Sequence, residues 1–235
     1  MIDRAKQHGA LRACDPADKP LVAITMGDPA GIGPEVLVKA LADPEIRSLG
    51  RFIIYGMEES LDAAAGRAGV DPVWYRCPHE DVGEVKTGVV LADYDEYTLF
   101  GAKLRRPTAE AGHASIRFVQ DACQAAASGQ VDAIVTGPIH KGSWKMAGCK
   151  EPGHTEMLAH FFRAKRVNMM FVSETIRVAL ASAHVGLFEL RNRFTIGLVF
   201  QPLDLLDDAL RRFWGVEQPR IAVAGLNPHA GEGGR

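Results

Sequence analysis

"ITMGDPAGIGPEV", residues 24–36, joins an apolar run to a segment with a helical pattern. The run "PLVAITM" (20–26) is typical of a buried strand, and "GPEVLVKALAD" (33–43) is typical of a helix with proline in its first turn. Three glycines and two prolines fall within residues 27–34. The stretch therefore predicts a strand, a tight turn and a helix, the repeating unit of α/β proteins.

A phosphate-binding loop is one interpretation of this turn. However, the turn matches neither GxGxxG nor GxxxxGKS/T, since no lysine follows Gly33 directly. Pro29 and Pro34 have no N–H to donate to an anion, and the Asp28 carboxylate would repel one. We therefore expect a rigid turn that presents Asp28 and Glu35.

The rest of the chain alternates between strand and helix patterns. Further strands are predicted over 51–57, 88–94, the start of 131–142, two parts of 168–184 joined by a polar turn at 173–175, and 220–227. Further helices are predicted over 58–69, 108–130 and 203–215. This alternation predicts an α/β fold, with helices on both faces of a mixed sheet, over residues 20–235. The polar residues 1–19 are expected to form a flexible N-terminal extension.

Composition excludes several classes of function. With 27 basic and 29 acidic residues, the net charge of −2 argues against nucleic acid or a membrane surface as a partner. No apolar run approaches the ~20 residues of a membrane span, and the N-terminus lacks the apolar core of a secretory signal. The four cysteines are dispersed without a CxxC pair, as in a cytoplasmic protein with reduced thiols.

Four loops with chemically reactive residues follow predicted strands. They read "TMGDPAGIGPE", "TGPIHKGSW", "SAHVGL" and "LNPHAGEGG", and three of them contain histidine. In α/β sheets, ligands bind beyond the carboxyl ends of the strands. We therefore expect the four loops to share one site.

Histidines in "EPGHTEMLAHFF" and "SAHVGL" allow two interpretations. His154, at the expected start of a helix, and His184, at the expected end of a strand, could meet over one divalent metal. Each could instead be a hydrogen-bonded structural residue. His160, expected in the middle of a helix, is interpreted as structural.

Two further positions have both a chemical and a structural interpretation. Lys141, beside a Gly-Pro turn, could hold an anion or act as an acid or base, or could be a solvated loop residue. His113, in "EAGHASIRF", could face a substrate, although a helix-capping role is favoured by the residues alone.

Taken together, "TMGDPAGIGPE", "TGPIHKG", "GHTEML", "SAHVGL" and "GLNPHAGEGG" resemble the 4-hydroxythreonine-4-phosphate dehydrogenase family of pyridoxal phosphate biosynthesis. The resemblance spans roughly residues 20–235, with the motifs in order. It implies a fold similar to isocitrate and isopropylmalate dehydrogenases rather than a Rossmann fold. This difference explains how an NAD enzyme can lack GxGxxG.

The resemblance also implies the chemistry. Members oxidise a phosphorylated hydroxy acid, 4-phosphooxy-L-threonine, with NAD or NADP, and the product loses CO2. A divalent metal (Zn, Mg, Co or Mn) is implied at His154 and His184, with substrate contacts at His113 and Ala114. By this correspondence, His229 shapes the site or approaches the cofactor. The resemblance also implies a homodimer whose active site lies at the subunit interface.

This sequence departs from the family pattern in its later part. The third metal histidine, in a Tyr-His-Asp loop, and the later Lys, Asn and Arg that hold substrate are absent, so we expect a piece of a longer protein or an inactive product. The general base is not identified, with Lys141 and Asp28 as weak candidates. Alternatives are a related dehydrogenase for phospho-threonate, phospho-erythronate or an aromatic dihydrodiol carboxylate, a metal-dependent hydrolase or aldolase, or an inactive fragment.

Overall fold

The computed structural model describes residues 19–97, 106–227 and 229. They form two compact units, divided between Arg163 and Ala164. The predicted N-terminal extension, residues 1–19, lies outside the described residues except for Lys19. Over the described ranges, no helix combines the length and the apolar character needed to cross a membrane.

A five-stranded sheet forms the centre of the first unit. Its strands are paired in the order β3-β4-β2-β1-β5, and every pair is parallel. Because both faces of a parallel sheet are covered, its central strands are mostly apolar. The bounds are β1 (Leu21–Thr25), β2 (Arg51–Gly56), β3 (Tyr75–Pro78), β4 (Val89–Asp93) and β5 (Ala133–Thr136).

Six α-helices accompany this sheet among the described residues of the first unit. The helix α4 is capped by the Thr108 side chain, which accepts a hydrogen bond from the Ala111 N–H at 3.1 Å. The helix α3 ends at Gly69, which has a left-handed φ of 65°. The bounds are α1 (Gly33–Ala42), α2 (Pro44–Ser48), α3 (Glu58–Ala68), α4 (Ala109–Ala127), α5 (Lys141–Met146) and α6 (His154–Phe161).

The strand order places helices on both faces of the sheet. The connections through α1 and α3 run from β1 outward towards β3, whereas α4 returns across β2 and β1 to β5. Right-handed crossovers therefore put α1 and α3 on one face, where they pack together, and α4 on the other, where it contacts β1, β2 and β5. The predicted α/β class is confirmed.

Two apolar clusters hold the first unit together. The larger lies around the central strands and includes Ile53, Ile54, Leu91 and Phe118. The smaller cluster joins α4, α5 and α6 through Val119, Cys123, Trp144 and Met157. The second cluster determines how α5 and α6, which follow β5, are attached to the sheet.

The second unit contains a two-stranded antiparallel hairpin and two helices. The hairpin strands β6 (Met170–Val172) and β7 (Arg177–Ala179) confirm the predicted pair within 168–184. They are followed by α7 (Leu187–Arg193) and α8 (Ile196–Trp214). The guanidinium of Arg177 lies 4.6 Å from the centre of the Trp214 ring and links the hairpin to α8.

Three local predictions for this unit need correction. Residues 220–227 contain no strand, although their pattern predicts one. The helix predicted over 203–215 begins at Ile196, because Thr195 caps it through its side chain and the helix continues through Pro202. His184 does not end a strand, since β7 ends at Ala179.

Candidate functional site

The turns after β1 and β5 lie side by side. These strands pair in parallel, so their carboxyl ends reach the same edge of the sheet. The Asp28 N–H donates to the Pro138 carbonyl at 3.0 Å, and the Gly137 N–H donates to the Thr25 carbonyl at 2.7 Å. This edge lies where the connections from neighbouring strands diverge to opposite faces, the position at which α/β folds bind ligands.

Asp28 joins the two turns and does not face solvent. Its side chain is buried, with 2% of its surface exposed. One carboxylate oxygen accepts from the Ala30 N–H at 2.8 Å and the other accepts from the Ser143 hydroxyl at 2.8 Å. The prediction that the turn presents Asp28 is therefore wrong, because both oxygens are used within the fold.

Glu35 is partly exposed on the first turn of α1. Its carboxylate forms an ion pair with Lys39, one helical turn away, at 2.6 Å. An exposed pair of this kind contributes little stability. The turn after β1 therefore supplies rigid backbone to the site, and the carboxylates of Asp28 and Glu35 already have partners.

His140 and Lys141 begin the helix that follows β5. The His140 ring caps α5, because its Nδ1 accepts from the Ser143 N–H at 3.2 Å. This bond places the proton of the neutral ring on Nε2. Lys141 is exposed, and its Cε lies 3.7 Å from the position that a Cβ on Gly153 would occupy. The lysine therefore lies beside the residue that precedes His154.

His154 is the first residue of α6, as its predicted position at a helix start requires. Its Nε2 is buried and has no hydrogen-bond partner among the described residues. The ring meets Trp144 edge to face, with the ring centres 5.5 Å apart. Burial lowers the pKa of His154 below its ordinary value, so the neutral ring is favoured. A neutral imidazole with an unpartnered nitrogen is suited to bind a ligand.

The lowered pKa of His154 predicts that stability depends on pH. The unfolded chain binds a proton near the ordinary value of about 6.5, whereas the folded chain binds it at a lower pH. The metal-free protein should therefore lose stability as the pH falls from the unfolded-state pKa to the folded-state pKa, with no further loss from this group below it. Urea unfolding across this range should show a weaker pH dependence in His154→Gln than in the wild type; equal dependence would contradict the assignment.

His113 and Ala114 lie on α4 with opposite surroundings. His113 is exposed at the edge of a cavity of about 450 Å³ that Arg117 and Lys150 also line. Ala114 is buried in the core with 1% exposure. The helix cap is Thr108, so the capping interpretation of His113 is wrong. Substrate contact at these two positions stays a prediction.

Two residues at this site were missed by sequence reasoning. Trp144 is buried, and its indole N–H donates to the Ser115 hydroxyl at 2.9 Å. The Ser115 hydroxyl in turn donates to the Gly112 carbonyl at 3.0 Å. The only local signal was the tryptophan in "HKGSW", because its serine partner is 29 residues away.

His184 belongs to the second unit. It is exposed, with a left-handed φ of 57° that is uncommon for histidine. Within the described ranges, no three His, Cys, Asp or Glu side chains are grouped so that they could hold a metal ion. Shared metal binding by His154 and His184 stays a prediction. Most of "NPHAGEGG" lies outside the described residues.

Comparison with known proteins shows which family the chain matches. A family model described as "Pyridoxal phosphate biosynthetic protein PdxA" matches residues 49–235. A 4-hydroxythreonine-4-phosphate dehydrogenase from a Synechococcus species is 37% identical over 225 residues, which is 92% of this chain and 62% of that protein. The chain thus spans less than two thirds of the length of this relative.

Solved structures show the same likeness. A 4-hydroxythreonine-4-phosphate dehydrogenase from Klebsiella pneumoniae aligns with a TM-score of 0.79 and 31% identity, over 93% of this chain and 66% of that one. A terephthalate 1,2-cis-dihydrodiol dehydrogenase from Burkholderia xenovorans aligns with a TM-score of 0.57 and 26% identity, over 92% and 64%.

Proposed function

Because the chain belongs to the family of the pyridoxal phosphate biosynthetic protein PdxA, we propose that it acts in the oxidation of 4-hydroxythreonine 4-phosphate. In this reaction the substrate hydroxyl carbon loses hydride to NAD or NADP, and the resulting keto acid loses CO2. The observation that supports this proposal is His154, a half-buried neutral imidazole beside Lys141 and the turn after β5, whose buried Nε2 has no hydrogen-bond partner among the described residues.

Residues of the first unit are suited to particular parts of the reaction. Burial keeps His154 neutral, so its lone pair or its N–H is available to a ligand. The exposed ammonium of Lys141 is available to an anionic group of the substrate. Asp28 holds the turn after β1 against α5, which fixes the backbone on which Lys141 lies. Asp28 is thus proposed as a structural residue rather than a general base.

A divalent metal fits the donor set only in part. The orphaned Nε2 of His154 is a suitable ligand atom, and we propose His184 as a second ligand. When bound, such an ion lowers the pKa of a coordinated hydroxyl and stabilises negative charge on a carbonyl oxygen. The unpartnered Nε2 of His154 could also contact substrate directly, and measurements of metal content separate the two roles.

We also propose that the protein is a cytoplasmic homodimer. Large apolar side chains are exposed on the second unit, including Phe188 at 93% and Ile196 at 88%. Apolar surface of this kind is typical of protein interfaces.

The runner-up function is oxidation of an aromatic dihydrodiol carboxylate. The Burkholderia xenovorans structure supports it, but its TM-score of 0.57 is lower than the 0.79 of the Klebsiella pneumoniae structure. The more similar structure favours the phosphorylated amino acid. Phospho-threonate and phospho-erythronate are tested as substrates alongside 4-hydroxythreonine 4-phosphate and the dihydrodiol carboxylate.

The proposed function is tested by incubating the full chain with 4-hydroxythreonine 4-phosphate, NAD or NADP, and Zn, Mg, Co or Mn. We expect reduced nicotinamide and CO2 to form, and a chelator to stop both. The Klebsiella pneumoniae enzyme serves as the positive control. Reduction only with the dihydrodiol carboxylate would favour the runner-up, and no reduction with any substrate would contradict the proposed function of this chain.

A further inference from the structure

The environment of His154 depends on Trp144. The imidazole meets the indole at an interplanar angle of 80°, with the ring centres 5.5 Å apart. Trp144 is 1% exposed and packs in the cluster that joins α4, α5 and α6. Since Nε2 of His154 has no hydrogen-bond partner in the part of the chain that the structure describes, the ring contact with Trp144 restricts its orientation.

Trp144 is itself held from α4. Its indole N–H donates to Ser115 at 2.9 Å, and Ser115 donates to the Gly112 carbonyl at 3.0 Å. The close approach of the helices needs glycine at 112, because a Cβ there would lie 2.1 Å from the Ser143 carbonyl oxygen. A buried indole N–H without its acceptor is costly, so the hydroxyl of Ser115 fixes the ring in one position.

The neighbouring residue is held from the opposite side. Ser143 donates to Asp28 at 2.8 Å, which attaches α5 to the turn after β1. Consecutive residues of α5 are therefore fixed by hydrogen bonds to two separate elements. Such a double attachment gives Trp144 little freedom to move, and it makes the indole a rigid surface for the imidazole.

We propose that Trp144, held by Ser115, is a positioning residue that fixes the His154 imidazole for its ligand. The proposal rests on the proposed function for its effect on turnover, but the geometry of the ring can be tested without turnover. Misplacement of a ligand-binding group by about 1 Å costs up to ~10²-fold in rate. Loss of the hydrogen bond between Trp144 and Ser115, which acts on His154 only through the indole, should lower the rate less, by about tenfold.

The substitution Ser115→Ala removes the acceptor of the indole, and Ser115→Thr retains a hydroxyl. Ser128→Ala is a matched control, because the Ser128 hydroxyl also donates to a carbonyl three residues earlier on α4, at 3.0 Å, without touching an indole. We expect kcat/KM to fall about tenfold in Ser115→Ala, to recover in Ser115→Thr and to stay unchanged in Ser128→Ala. In a His154→Gln background, Ser115→Ala should cause no further loss.

Magnetic resonance of histidine-labelled full chain gives a readout that needs no activity. The ring signal of His154, assigned by its loss in His154→Gln, should be displaced by the Trp144 ring and should move in Ser115→Ala and Trp144→Phe but not in Ser128→Ala. An unmoved signal, or an equal fall in kcat/KM with and without His154, would overturn the proposal. An inactive wild type with the expected signals would instead overturn the proposed function alone.

Discussion

Replacing His154 with Gln is expected to lower kcat/KM by about 10²-fold or more, with little change in unfolding free energy. The loss follows from the half-buried position of the imidazole, whose Nε2 has no hydrogen-bond partner among the described residues and is therefore free for a ligand. Stability should be retained because no described hydrogen bond of this nitrogen is broken. Activity with 4-hydroxythreonine 4-phosphate and urea unfolding measure the two effects.

His160→Gln is the matched control on the same helix. His160 is exposed and pairs with Glu151 at 2.6 Å, so its replacement should leave kcat/KM unchanged. Elemental analysis and KM then distinguish the role of His154. Loss of the metal identifies a metal ligand, as we propose, whereas retained metal with a raised KM identifies a substrate contact. Wild-type kcat/KM in His154→Gln would remove this residue from the site.

Replacing Gly27 with Ala is expected to destabilise the protein by about 3–5 kcal/mol. Gly27 has a φ of +80°, which L side chains rarely adopt, and a Cβ there would lie 2.3 Å from the Pro138 carbonyl oxygen. The added Cβ is bonded directly to the backbone, and the Pro138 oxygen is part of it, so neither can rotate away. The turns after β1 and β5 would therefore have to separate. The shift of the urea midpoint at constant m-value measures the cost.

Gly88→Ala separates the two causes of this loss. Gly88 has a similar φ of +77°, but apart from its chain neighbours no atom of the described residues lies within 4 Å of the added Cβ. Its replacement should cost only the backbone strain, about 1–2 kcal/mol. Equal losses at the two positions would show that the contact with Pro138 contributes nothing.

The turn after β1 was predictable because its chemistry is local. Its glycines are explained by close backbone approach, as the absence of a phosphate-loop pattern indicated. The burial of Asp28 was not predictable, since its partner Ser143 lies 115 residues away. An acidic residue in a glycine-rich turn looks exposed until the strand order brings β5 beside β1.

The errors in strand assignment have a related cause. Residues 220–227 have the apolar pattern of a strand, but hydropathy does not supply a hydrogen-bond partner, and none pairs with them among the described residues. The strand β3 was missed for the opposite reason. It lies at the edge of the sheet, and its sequence, YRCP, is mostly exposed and lacks the alternation that identifies strands.

The bond between Asp28 and Ser143 has a consequence for synthesis of the chain. Chain growth proceeds at about 5–20 residues per second, so the 115 residues that separate these partners take on the order of ten seconds to add. During that time the turn after β1 lacks its two later partners, the Ser143 hydroxyl and the Pro138 carbonyl. The nascent chain therefore carries β1 and its turn without these two partners during this interval. A chaperone could bind the chain in that time.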